Sequence, residues 1–343
     1  MQNFNSQRNN NVSSKPMFNQ QTQMVGNTGN QDTVGNSNIG AQQVPSRTII
    51  KPQLNKSYEN DSTYDIERFE QEVFGVDIKE LMHLLDYKGN IILQGAPGVG
   101  KTYSAKRLAY TMMGTIDDSR ISIVQFHQNY GYDDFIVGLR PTESGGFEFV
   151  EGPFYTICKK AITDPSNKYF MIIDEINRGN LSKILGEMFS LIEKDHRGES
   201  ITLKYRNEKF CVPKNLYIIG TMNTADRGLV MLDYALRRRF SFYTMLPAFR
   251  SPGFMSKMNA YHNQSFNKLI RRIVELNEVI SKDDLLGPGF MIGHSYFCVK
   301  NITNRTLEDI VKYEIIPLID EYWYDDADHK NVEWAFKLQE AIK

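Results

Sequence analysis

The sequence predicts an α/β fold: a parallel, doubly wound sheet with two inserted β-hairpins, followed by a small helical domain. Three observations predict it. Short apolar runs alternate with helical stretches between Asn90 and Gly220, the pattern of strands joined by helical crossovers. The runs are continuous rather than alternating, as strands covered on both faces require. From about Phe249 the apolar spacing changes to a helical period.

Each element follows in order. In residues 1 to about 60, roughly a third are Asn or Gln, and charges and aromatics are few. Such a segment cannot bury enough apolar surface to offset its chain entropy, so residues 1–61 are expected to be a disordered tail. Residues 64–74 and 78–85 carry amphipathic helical patterns. The first strand is expected at 90–94, the second at 121–126, the third at 169–173 and the fourth at 216–220. Alternation around a turn marks one hairpin at 146–152 and another pairing 200–205 with 209–213. Leu269, Ile270, Ile273, Val274, Leu276, Val279 and Ile280 give a helix in the C-terminal part. The expected domains are therefore the tail 1–61, a P-loop core at 62–248 and a helical lid at 249–343.

A length of 343 residues allows about two domains, and with a formal charge of −1 nothing global points to nucleic acid or an anionic membrane. Direct DNA contact is neither implied nor excluded. Cys158, Cys211 and Cys298 match no metal spacing and read as reduced thiols. Neither a signal-peptide core nor a bilayer-length apolar run is found. These features together predict a cytoplasmic protein without a membrane span.

The chemistry is concentrated in four places. Gly95-Ala96-Pro97-Gly98-Val99-Gly100-Lys101-Thr102 follows a strand and opens a helix. The backbone N–H groups of Gly95, Gly98, Val99 and Gly100 are suited to cradle phosphate at a helix N-terminus, and Pro97, which has no N–H, is expected to line the same binding loop. Lys101 is expected to reach the β/γ-phosphates and Thr102 to ligate Mg²⁺. Asp174-Glu175 closes a strand, at the ligand edge of an open α/β sheet. Asp174 suits Mg²⁺, and Glu175 suits the role of general base for a water. Asn223 and Asp226 end the fourth strand, where Asn223 suits the γ-phosphate or the lytic water and Asp226 a neighbouring basic group; an Asx-turn at the strand end is the alternative reading of both. Arg237-Arg238-Arg239 reads as an arginine finger for a neighbouring subunit, as a solvated charge run, or as a DNA-contacting patch. The segments at 127–130 and 293–296 each hold a histidine, with no catalytic role assigned to either.

The order P-loop, Asp174-Glu175, Asn223, arginines, helical lid resembles that of the AAA+ ATPases. Hairpins before the third and fourth strands resemble the clade of MoxR-type chaperones, dynein modules and McrB-type restriction GTPases. Stretches at 126–141, 174–183, 220–242 and 293–297 are similar to the McrB type, and Met222-Asn223-Thr224-Ala225-Asp226 is the most specific of them. The resemblance implies GTP rather than ATP as substrate, with Mg²⁺. It also implies a ring, usually a hexamer, and an McrC-like nuclease partner with which the complex translocates on DNA. On that pattern Asp174 and Glu175 form the Walker B pair and Asn223 is sensor 1. Asp226 lies in the signature loop, and Arg238, then Arg239, is the finger acting in trans. Members that recognise modified cytosine carry an N-terminal DNA-reading domain where this sequence has its tail. DNA reading is therefore expected to rest with a partner, or the chain to serve another anti-phage complex. Two rivals stand beside this reading: a MoxR-like ATPase that remodels proteins without a nuclease, and a scaffold that uses nucleotide only to assemble.

Overall fold

The computed structural model describes residues 62–143, 145–226, 234–324 and 329–343. The expected tail and residues 229–233 of the stretch before the arginines lie outside these. Two helices, α1 (Ile66–Glu72) and α2 (Ile78–Lys88), precede β1 (Asn90–Gly95) and α3 (Lys101–Met113). Next come β2 (Ile121–Gln125), α4 (Tyr132–Phe135), the hairpin β3 (Val137–Pro141) and β4 (Phe147–Glu151), and α5 (Pro153–Thr163). Then follow β5 (Tyr169–Asp174), α6 (Leu181–Leu185), α7 (Met188–Leu191), the hairpin β6 (Ser200–Thr202) and β7 (Lys209–Cys211), and β8 (Leu216–Asn223). The core ends with α8 (Tyr234–Arg239) and β9 (Ser241–Met245). The lid helices are α9 (Pro252–Ala260), α10 (Gln264–Lys282), α11 (Asn304–Ile310), α12 (Ile316–Tyr322) and α13 (Lys330–Ala341).

Among the described residues the main sheet has five strands in the order β2-β5-β8-β1-β9, and every pair within it is parallel. Alternation along the strands sorts its two faces. Ile91, Leu93, Phe170, Ile172 and Ile219 pack with Leu81, Leu85 and Leu108 of α2 and α3. Ile92, Met171, Ile173 and Ile218 pack on the other side with Phe154, Tyr155 and Cys158 of α5. This two-sided cover explains why the strands read as continuous apolar runs.

β9 was not expected from the sequence. It pairs with β1 at the sheet edge, Ile91 opposite Ser241 and Gly95 opposite Met245, and most of its residues are only half-buried. The expected 146–152 hairpin has its first arm at Val137–Pro141, with Leu139 opposite Phe149. The second hairpin is shorter than expected, its ladder ending at Thr202 and Lys209.

The lid builds its own core from Leu269, Ile270, Ile273, Leu276 and Ile280 of α10, closed by Trp323, Trp334 and Leu338. Phe74, just after α1, is part of that cluster and ties the lid to the sheet domain. A π-turn at Val311–Ile315 joins α11 to α12 immediately before Pro317, which cannot donate to the preceding turn.

Candidate nucleotide site

The register of the sheet brings the predicted residues together. Gly95 at the end of β1 lies opposite Asn223 at the end of β8. On the other side of β8, Ile173 lies opposite Gly220, which sets Asp174 beside Thr221. A loop from Gly95 to Gly100 then enters α3, whose cap Gly100 is left-handed at φ +85°.

Of these, Gly100, Asp174, Thr221 and Asn223 line one cavity of about 350 Å³. Its walls are the loop from Pro97 to Ser104, Asp174 and Glu175, Thr221 and Asn223, the stretch Glu72-Val73-Phe74, and Lys257, His294, Ser295 and Cys298 from the lid. Gly95 and Asp226 are not in its lining, and neither Arg238 nor Arg239 reaches it within one chain. Those arginines border a separate recess with Tyr87, Lys88, Glu193, Lys194 and Asp195.

Lys101 is buried under its own loop. Its ammonium donates to the carbonyls of Gly95 (3.0 Å) and Ala96 (2.9 Å) and to Asn223 Oδ1 (2.6 Å). Burial lowers its pKa to about 8, against the pull of Glu175, Asp174 and Asp226. Asn223 in turn donates through Nδ2 to Glu175 Oε1. One side chain thus joins the phosphate-loop lysine to the candidate base.

Thr102 Oγ1 donates to Asp174 Oδ1 at 2.8 Å, and the Thr221 hydroxyl donates to the same oxygen. A hydroxyl and a carboxylate side by side are hard oxygen ligands, the set that suits Mg²⁺ when substrate phosphates complete the shell. Among the described residues no cluster of three His, Cys, Asp or Glu could hold a metal without such help.

Glu175 follows directly on β5 with φ +53°, a left-handed conformation that costs a non-glycine residue about 1–2 kcal/mol. Burial raises its pKa, and Arg178 opposes the rise. Arg178, given no role from the sequence, stands 3.4 Å from Glu175 and 3.0 Å from Asp226. Asp226 therefore has the basic neighbour expected of it, and the signal in hindsight is an arginine three positions after Glu175.

The lid segment at 293–296, singled out in the sequence without a role, closes over the phosphate loop. Ser295 N donates to Gly98 O at 2.9 Å. Gly98 sits at φ +77°, and a β-carbon there would stand 2.7 Å from the Tyr296 ring. His294 is anchored by Ala248 N, which donates to its Nδ1 at 3.1 Å, and burial lowers its pKa to about 4.

Residues 90–240 match the AAA domain family, dynein-related subfamily, and residues 268–331 match the McrB α-helical lid domain. The chain belongs to the AAA proteins of the McrB type. Among relatives, this McrB-type chain is 48% identical over 274 residues to the type IV methyl-directed restriction enzyme EcoKMcrB subunit of Escherichia coli. That match covers 76% of this chain and 59% of the relative, so the chain spans rather more than half of that protein's length. It is 29% identical to the type II restriction enzyme BsuMI component YdiS of Bacillus subtilis, over 67% of this chain and 81% of that protein. It is 27% identical to the chaperone MoxR1 of Mycobacterium tuberculosis, over 45% of this chain and 35% of that protein. None of the described helices is long and apolar enough to cross a membrane.

Proposed function

We propose that the chain hydrolyses a nucleoside triphosphate, GTP in preference to ATP, as the ring-forming motor subunit of a McrBC-like restriction complex. In that complex an McrC-like nuclease would cut DNA that the ring translocates. The observation that carries the reading is the convergence of Lys101, Thr102, Asp174, Glu175 and Asn223 on one cavity under an McrB-type lid. Two restriction components among the relatives support it, as does the MoxR1 similarity being limited to less than half of the chain.

In this reading the loop N–H groups and Lys101 bind the phosphates, and Thr102 and Asp174 hold Mg²⁺. A Mg²⁺ ion held there would supply neutralisation of phosphate charge. Glu175 takes the proton of the attacking water as the oxygen bonds the γ-phosphorus and the bond to the β-phosphate oxygen breaks. Asn223 aligns Glu175, and an elevated carboxyl pKa suits a base working near neutrality. Arg238 of a neighbouring subunit completes the site.

Steady-state hydrolysis of GTP and ATP, compared over a range of protein concentrations, tests this. GTP preference with a rate per subunit that climbs on assembly is expected. ATP preference without stimulation by an McrC-type partner would replace it with a MoxR-like remodeller.

A further inference from the structure

We propose that Lys257 reads the base edge of the nucleotide and sets the preference for guanine over adenine. This rests on the triphosphate reading of the cavity. The cavity has two chemically different ends. Lys101, Thr102, Asp174, Glu175 and Asn223 make the phosphate end. Val73, Phe74, Lys257, His294 and Cys298 also line the cavity, and we place the base among these residues, with the phosphates on the loop. The two ammoniums have different neighbours: Lys101 is held by the Gly95 and Ala96 carbonyls and Asn223 Oδ1, whereas Lys257 stands by the Phe74 ring.

Lys257 Nζ lies 5.9 Å from the centre of the Phe74 ring, and among the described residues it has neither hydrogen bond nor ion pair. Two acceptors near it are already used. Glu72 accepts from Tyr64 (3.0 Å), Tyr103 (3.3 Å), Arg68 (3.4 Å) and Arg107 (3.2 Å), which fills its carboxylate. His294 Nδ1 is taken by Ala248 N. We assign the polar discrimination at this end to the Lys257 ammonium, which can only donate. Guanine offers it two acceptors on one edge, O6 and N7. Adenine places an amino donor where O6 would be. A donor pair of this kind is worth about tenfold or more between the two bases.

The test is calorimetric binding of GTP, ITP and ATP to the full chain carrying Glu175→Gln, which prevents turnover, with and without Lys257→Met. ITP keeps O6 and N7 but lacks the 2-amino group. Without the Lys257 change, GTP and ITP are expected to bind alike and ATP at least tenfold more weakly. Lys257→Met should bring GTP and ITP down to the ATP level and leave ATP unchanged, while Lys257→Arg keeps the preference. Equal losses for all three would place Lys257 on ribose or phosphate and overturn the inference. So would ITP binding like ATP, or a preference that survives Lys257→Met. No binding of any triphosphate before the Lys257 change would instead overturn the reading of the cavity itself.

Discussion

Gly293 of the lid packs directly on Gly98 of the phosphate loop: a β-carbon on Gly293 would stand 2.0 Å from the Gly98 carbonyl carbon. The φ of Gly293 is −75°, which any residue adopts, so the small side chain is required by contact alone. The lid therefore seats on the loop through two backbones, with Ser295 N bonded to Gly98 O.

Gly293→Ala should unseat the lid without unfolding it. Overpacking of this kind costs about 1–3 kcal/mol. We expect triphosphate affinity to fall about tenfold or more while far-ultraviolet circular dichroism stays the same. Unaltered affinity in calorimetry would show that the lid need not seat there for binding.

Asn223 holds Lys101 with one atom and Glu175 with the other. Asn223→Ala should leave triphosphate binding within a few-fold, because the loop N–H groups and Thr102 remain. Turnover should fall by about 10²-fold, the usual effect of losing one preorganised polar partner at a reacting centre. Single-turnover hydrolysis at saturating nucleotide separates the two effects. A variant that binds poorly but turns over normally would reassign Asn223 to binding.

Much of this site was legible because its signals are local. The glycine loop lies between a strand and a helix, and Asp174-Glu175 closes an apolar run. What the sequence hid is long-range. Arg178 meets Asp226 across 48 positions, and His294 meets Ala248 across 46. Neither pairing leaves a mark on local periodicity. β9 was missed because Ser241–Met245 follows straight on a charged helix and lies at a half-exposed sheet edge, so it lacks the continuous apolar run of β1 and β5. Lys257 gives no sequence signal at all; only the closure of α9 over Phe74 brings it to the cavity.

The depressed pKa of Lys101 predicts a pH dependence for binding. With a pKa of about 8 in the free chain, the ammonium begins to lose its proton above that pH. Bound phosphates favour the charged form and raise the pKa, so binding takes up a proton there. Affinity should be flat below pH 7 and weaken above pH 8, by up to about tenfold per pH unit. Calorimetry at pH 8.5 in two buffers of different ionisation enthalpy should show net proton uptake. The effect should vanish in Lys101→Arg, whose guanidinium keeps its charge. Uptake that persists in that variant would assign the proton to another group.

Arg238 and Arg239 share one carboxylate but differ in what else holds them. Arg239 is only 15% exposed, 2.9 Å from Glu193. It also donates through Nε to Phe189 O at 2.9 Å and lies 4.1 Å over the Phe189 ring. Arg238 is 76% exposed and stands 3.2 Å from Glu193. The carbonyls of both are bonded, Arg238 O by Lys88 Nζ (2.8 Å) and Arg239 O by Asn90 Nδ2 (3.0 Å), which fixes the end of α8. Arg239→Ala should therefore act mainly on folding, costing about 2 kcal/mol and lowering the melting temperature. Arg238→Ala should leave the melting temperature within a degree or two and remove turnover, because its side chain, held by a single exposed ion pair, is the better placed of the two to reach a neighbour. Mixing Arg238→Ala with Lys101→Ala should restore part of the rate: some interfaces then pair an intact P-loop with an intact arginine. Recovery in the Arg239→Ala mixture alone would move the finger by one residue, and recovery in neither would place both arginines outside the reaction.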